Sequence, residues 1–247
     1  MAETVLTPEL LPAGADGFVL RFALTPEPRA MAAARSLADR LEAAPPPGTV
    51  EIAPALVSVL LRFDPARTDR ETLAAHLRTV AQEIAATEPR MPEPSRRWTI
   101  PVSFGNENGP QLSDVATKLG MGEDAAIREI CASELRVLTI GFAPGQPYIG
   151  LLPDAWHLPR LSELTPTVPP GAVVVAVRQI VLFGSASATG WRQIGRAAFR
   201  TFMPERREPM PLRGGDAIRF APASAAEIDA LSGEGDRMGG ARLEVLR

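Results

Sequence analysis

The sequence predicts an α+β chain in two parts, a small α/β sandwich followed by a mainly β domain, and three observations carry that prediction. Before residue 88, β-rich runs alternate with two segments of helical periodicity. At Glu88 to Arg97, EPRMPEPSRR, the composition turns abruptly from helix formers to helix breakers. Beyond it the apolar runs become short, β-rich and divided by glycine and proline. The boundary is therefore set at residues 1–95 and 96–247.

In chain order, Gly17 to Leu24, GFVLRFAL, is rich in β formers and stops at Pro26 and Pro28. RAMAAARSLADRLEAA follows with Met31, Ala34, Leu37, Ala38 and Leu41 at helical spacing, ending before Pro45 to Pro47. Thr49 to Phe63 supplies two β-like runs parted by Pro54. Asp69 is the expected N-cap of a second helix with Leu73, His76, Leu77, Val80 and Ile84 on one face. A strand at Arg97 to Ser103 would complete a βαββαβ unit with helices on one side of its sheet. In the second part, short helices near Gln111–Leu119 and Glu123–Cys131 precede Val137–Phe142. AVVVAVRQIVLFG, WRQIGRAAFRTF and DAIRFAPA then read as strands of an antiparallel barrel or sandwich. A helix over Ser224–Leu231 and a strand around Leu243 close the chain, joined by the glycine-rich SGEGDRMGG.

The 247 residues, 45% hydrophobic and 22% charged, suit a globular protein with a sizeable core. A net charge of -3 gives no general attraction to nucleic acid or anionic lipid. No apolar run reaches the ~18 residues of a membrane span, and no basic-then-apolar leader opens the chain, so a cytoplasmic location is expected.

Catalytic chemistry is thinly supplied. The single cysteine, Cys131, ends an amphipathic helix without a neighbouring cation and reads as a small buried hydrophobe. His76 reads as a packed or helix-surface residue. His157, in the loop sequence PDAWHLPR, is the better site candidate. Two distant histidines and one cysteine make neither a hydrolytic triad nor a metal centre. Neither GxxxxGK[ST] nor GxGxxG occurs, and the only lysine, Lys118, complements a helix C-terminus. What remains is a set of loop clusters. IGFAPGQPYIG offers Pro144, Gly145, Gln146 and Tyr148, the only tyrosine; backbone amides near Gly145 could meet developing negative charge. ATGWRQIGR offers Trp191, Arg192 and Arg196, an aromatic plane with guanidinium donors suited to carboxylates. Arg178 and Gln179 interrupt an apolar run, and in a strand they would point to opposite faces.

Five ordered segments resemble the carboxyltransferase-like family whose members are variously called allophanate hydrolase subunit 1, the kinase-inhibitor subunit of the Kip system, and the 5-oxoprolinase B subunit. The family's GFxPGFPYLG stands here as GFAPGQPYIG, Gly141–Gly150, and its IPVxYGGxxGPDLxxVA as IPVSFGNENGPQLSDVA, Ile100–Ala116. VPPGAVVVA, TGWRQIGRA and GGDAIRF match three further family segments. The chain departs from the pattern at Gln146, where relatives carry an aromatic ring, and at Val177, Arg178 and Val181, where they carry glycines. Thr167 replaces a frequent arginine, and a usual histidine is missing near Ile130.

The resemblance implies a ferredoxin-like N-terminal α/β domain followed by a cyclophilin-like antiparallel β-barrel. It implies a subunit of a heteromeric ATP-dependent amide hydrolase, of the 5-oxoprolinase or allophanate hydrolase and urea amidolyase type, inactive alone. The expected partners are a homologous second barrel subunit, similar to allophanate hydrolase subunit 2, and a third 5-oxoprolinase subunit. The expected ligand is a small carboxylate or amide, enclosed between the two barrels. No cofactor is assigned to this chain, and ATP would act through the complex. The alternative the family offers is a noncatalytic module that inhibits a histidine kinase.

Overall fold

The computed structural model describes residues 6–233, 235 and 237–246. The chain divides into two compact units between Glu93 and Pro94. The first carries a four-stranded antiparallel sheet in the order β1-β2-β4-β3, from β1 (Glu9–Pro12), β2 (Gly17–Arg21), β3 (Thr49–Pro54) and β4 (Ser58–Phe63). Helices α1 (Pro28–Ala43) and α2 (Arg70–Ala86) bury Leu37, Leu41, Leu73 and Leu77 against Leu20, Val59, Leu61 and Phe63 of the sheet. Pro28 opens α1, where a missing N–H costs nothing. Asp69 caps α2 by accepting the Thr72 N–H at 2.8 Å.

Two expectations are corrected in this unit. The strand expected to complete it after α2 does not join this sheet. Its edge position beside β2 is taken by β1, the first arm of a hairpin with β2. His76 does not share the apolar face either. It is exposed, and Ala74 and Ala81 complete the buried stripe.

The expected strand at 97–103 belongs to the second unit, as β5 (Arg96–Phe104). Two helices follow, α3 (Leu112–Leu119) and α4 (Glu123–Ala132), then β6 (Leu135–Ile140) and β7 (Pro147–Gly150). The remaining strands are β8 (Thr165–Val168), β9 (Ala172–Ala176), β10 (Gln179–Leu182), β11 (Ser187–Thr189), β12 (Arg192–Arg196), β13 (Ala217–Pro222) and β14 (Arg242–Val245). The order β12-β9-β10-β7-β6-β13-β5 closes through a β12–β5 pairing into a seven-stranded barrel, with β14 added outside the ring on β5. The barrel is not wholly antiparallel, because β13 runs parallel to β5 from Ala217↔Arg97 to Pro222↔Val102.

Alternation along the strands sorts the side chains. Val173, Val175, Ile180, Leu182 and Ile194 enter the main core with Trp98, Ile100 and Val102, and α3 and α4 add Leu112, Val115 and Ile130. The opposite faces of β9 and β10 contribute Val174 and Val181, and Phe183 just past β10 joins them, in a second cluster that includes Val168 of β8 and Trp191. A helix α5 (Ala225–Ser232) begins with a capping box, Ser224 and Glu227 each satisfying the other's backbone N–H.

Candidate functional site

The second cluster opens into a cleft of ≈ 400 Å³, whose walls include Gln146, Tyr148, Arg160, Thr189 and Trp191. Its first wall grows from the proline and glycine corner after β6. The Gln146 N–H donates to the Ala143 carbonyl at 3.1 Å, and Gly145 sits at φ +70 between them, which fits a type II turn with Pro144 at its second position. A Cβ on Gly145 would collide with the Thr201 carbonyl, so backbone packing as well as handedness requires glycine. The turn aims the chain into β7, and Tyr148 then meets Trp191 edge to face, ring centroids 6.0 Å apart at 72°.

The second wall is the coil between β7 and β8. Leu161 N–H donates to the Gly190 carbonyl at 2.6 Å, and Arg192 donates through Nη1 to the Pro159 carbonyl at 2.6 Å. These bonds fasten both sides of Arg160, whose guanidinium lies 5.5 Å from the Trp191 ring centroid. Among the described residues, no acid lines the cleft. Thr189 accepts the Trp191 backbone N–H at 3.1 Å and so keeps its hydroxyl hydrogen to donate. Phe142, at φ +70 and 77% exposed, and Leu164, 67% exposed, supply apolar surface at the same cleft.

Of the residues singled out in the sequence, the cleft brings together Gln146, Tyr148 and Trp191. Pro144 and Gly145 build the turn beside it. Arg192 is nearly buried and committed, its Nε donating to Asp114 Oδ2 at 2.7 Å. That bond holds the Asp114 carboxyl below the usual carboxylate range. Arg196 lies elsewhere, in a second concavity of ≈ 530 Å³ with Arg200 and Arg237. A register shift between Gln193 and Gly195 moves it off the alternation that Arg192 begins. His157 is exposed after the 3-10 turn Asp154–Trp156 and lines neither cavity.

Arg178 does not lie in a strand, contrary to the sequence reading. Val177 and Arg178, at φ 43 and 66, form the two-residue tip of the β9–β10 hairpin, the signature of a type I′ turn. Arg178 Nε donates to the Leu152 carbonyl at 2.8 Å and Nη1 reaches Asp154 Oδ1 at 2.6 Å, so its charge holds the neighbouring loop. Gln179 begins β10, opposite Gly150 and Ala176, and is buried outside the cleft walls. Sequence reasoning missed Arg160 and Thr189. Thr189 stands inside the ATGWRQIGR motif that identified Trp191, two residues before it. Arg160 lies in coil, where no periodicity marks which residue turns inward.

Among the described residues, no group of three His, Cys, Asp or Glu side chains could hold a metal. Burial pushes the Cys131 thiol up to about 11, away from nucleophilic use at neutral pH. No helix is long and apolar enough to cross a membrane.

A closed seven-stranded barrel with a lined cleft, preceded by a separate α/β unit, places the chain in the mixed α+β class seen in urea carboxylase fragments. Residues 8–212 match the model of the carboxyltransferase domain, subdomains C and D, and the chain belongs to that family. It is 36% identical over 182 residues to the 5-oxoprolinase B subunit of Escherichia coli O157:H7, covering 71% of this chain and 79% of the relative. The Bacillus subtilis 5-oxoprolinase B subunit is 26% identical over 231 residues, 90% and 95% of the two chains. Among solved structures, TTHA0988 superposes with a TM-score of 0.70 at 32% identity, covering 85% of this chain but 40% of that longer one. The Kluyveromyces lactis urea amidolyase superposes with a TM-score of 0.76 over 99% of this chain and 16% of its own, a likeness of fold at 16% identity.

Proposed function

We propose that this chain is a subunit of a heteromeric ATP-dependent amide hydrolase of the 5-oxoprolinase or allophanate hydrolase and urea amidolyase type. In this reading its cleft forms part of a small carboxylate or amide pocket, completed by a homologous barrel subunit. The observation that carries it is a cleft with an aromatic pair and one cation, whose lining includes no histidine, cysteine or carboxylate, in a chain with no metal-holding cluster among its described residues. Such a cleft can hold a small anion; it has little with which to open an amide by itself. The two 5-oxoprolinase relatives, each named as one component of that enzyme, support the same division of labour.

The same reading takes the barrel as cyclophilin-like, and the first unit as a ferredoxin-like variant whose edge strand comes from its N-terminal hairpin. ATP is then turned over by the assembled complex. Purification with the candidate second barrel subunit and a third 5-oxoprolinase-type subunit tests this. Turnover of ATP that depends on 5-oxoproline, urea or allophanate, and that disappears when this chain is omitted, is the expected result. Recovery of a histidine kinase whose autophosphorylation the chain suppresses, with no substrate-dependent turnover, would replace it by the regulatory reading.

A further inference from the structure

Gln146 is 2% exposed, yet its side-chain amide has no hydrogen-bond partner among the described residues. Its amide atoms are not among those sealed away from solvent without a partner, and the open space it adjoins is the cleft. Its donor and acceptor are therefore turned to whatever occupies the cleft, water or a ligand that offers an acceptor and a donor in return. A primary amide offers N–H and C=O side by side, so the matching group is another planar amide with cis N–H and C=O: a lactam, a urea or a carboxamide. The Tyr148 and Trp191 rings border the same space and suit a flat group. Arg160 is a cation in the cleft wall with no acid beside it, held in place by the bonds to Pro159 and Leu161 on either side.

We propose that Gln146 and Arg160 are the two specificity-determining residues of the cleft, reading respectively the cis-amide edge and the carboxylate of one small cyclic or ureido amide acid. This rests on the reading of the cleft as a carboxylate and amide pocket, and assigns each half of the ligand to a residue. It gives Gln146 a ligand-specific role where an aromatic ring could only stack.

The test is a pair of discriminations measured by titration calorimetry on the full chain, with 5-oxoproline, 2-pyrrolidinone and proline as probes. The wild type should prefer 5-oxoproline to both, since 2-pyrrolidinone lacks the carboxylate and proline lacks the lactam carbonyl. Arg160→Ala should weaken 5-oxoproline about tenfold and leave 2-pyrrolidinone unchanged, as expected for loss of one charge-assisted hydrogen bond. Gln146→Leu, of similar volume, should weaken 5-oxoproline and 2-pyrrolidinone alike, by about tenfold for two neutral hydrogen bonds, and leave proline unchanged. In a 15N correlation spectrum, the Gln146 side-chain amide pair, assigned by its disappearance in Gln146→Leu, should move with 5-oxoproline. Equal weakening of all three probes by either variant, an unmoved amide pair, or no saturable binding of any probe would overturn the proposal. Failure of the reconstituted complex to turn over ATP, with both discriminations intact, would remove the enzyme-subunit reading and leave this one standing.

Discussion

Two tight turns border the same sheet region and obey opposite rules. At Ala143–Gln146 the backbone needs one left-handed residue and finds Gly145, preceded by Pro144, whose fixed φ suits the position before it. At Ala176–Gln179 it needs two and finds Val177 and Arg178, neither of which favours that region; a β-branched residue there is a true outlier. The first turn is held by local chemistry. The second is held by its surroundings: the β9–β10 ladder, the Val177 N–H bond to the Leu158 carbonyl, and the Arg178 side chain reaching Leu152 and Asp154.

The contrast can be broken most forcefully at Gly145. Gly145→Ala adds a collision with the Thr201 carbonyl to an unfavourable φ and should cost about 2–4 kcal/mol in urea unfolding. A loss under 1 kcal/mol would mean the turn is not the rigid corner described. Arg178→Ala keeps the strained φ but removes the bond to Leu152, and should cost about 1 kcal/mol. Arg178→Gly removes the same bond and relieves the strain, so it should stay nearer to wild type; equal losses for the two variants would show that strain at 178 is negligible. Val177→Asn should raise stability by about 0.5–1 kcal/mol, because asparagine tolerates the left-handed region. Thermal unfolding with no upward shift would contradict that. Pro144→Ala, which only frees the unfolded chain, should lose about 0.5 kcal/mol, and a loss as large as that of Gly145→Ala would make proline the anchor instead.

The same contrast explains what could be read in advance. Wherever local preference agrees with the fold, as in the proline-bounded α1, the Asp69 cap and the Pro144–Gly145 corner, the elements were legible. AVVVAVRQIVLFG looked like a single β run because nothing in Val177 and Arg178 signals a reversal. The partner of β5 was equally hidden, since a strand's residues state that it pairs but not with what. In the site, Tyr148 and Trp191 stood out as rare aromatics, whereas Arg192 and Arg160 are both arginines near the cleft. Only the Asp114 and Pro159 contacts separate the one that supports the wall from the one that faces the ligand space.

The parallel seam between β5 and β13 sets an order of events for the nascent chain. β5 is the first barrel strand to be made, yet its neighbours β12, β13 and β14 lie roughly 90 to 145 residues later. Loop closure on that scale is slow, and unpaired edges meanwhile invite wrong pairings. The first unit needs only its own hairpins and helices, and can settle while β5 waits. The barrel thus becomes a closed surface only when β12 and β13 arrive, so chaperone dependence should track the second unit rather than the first.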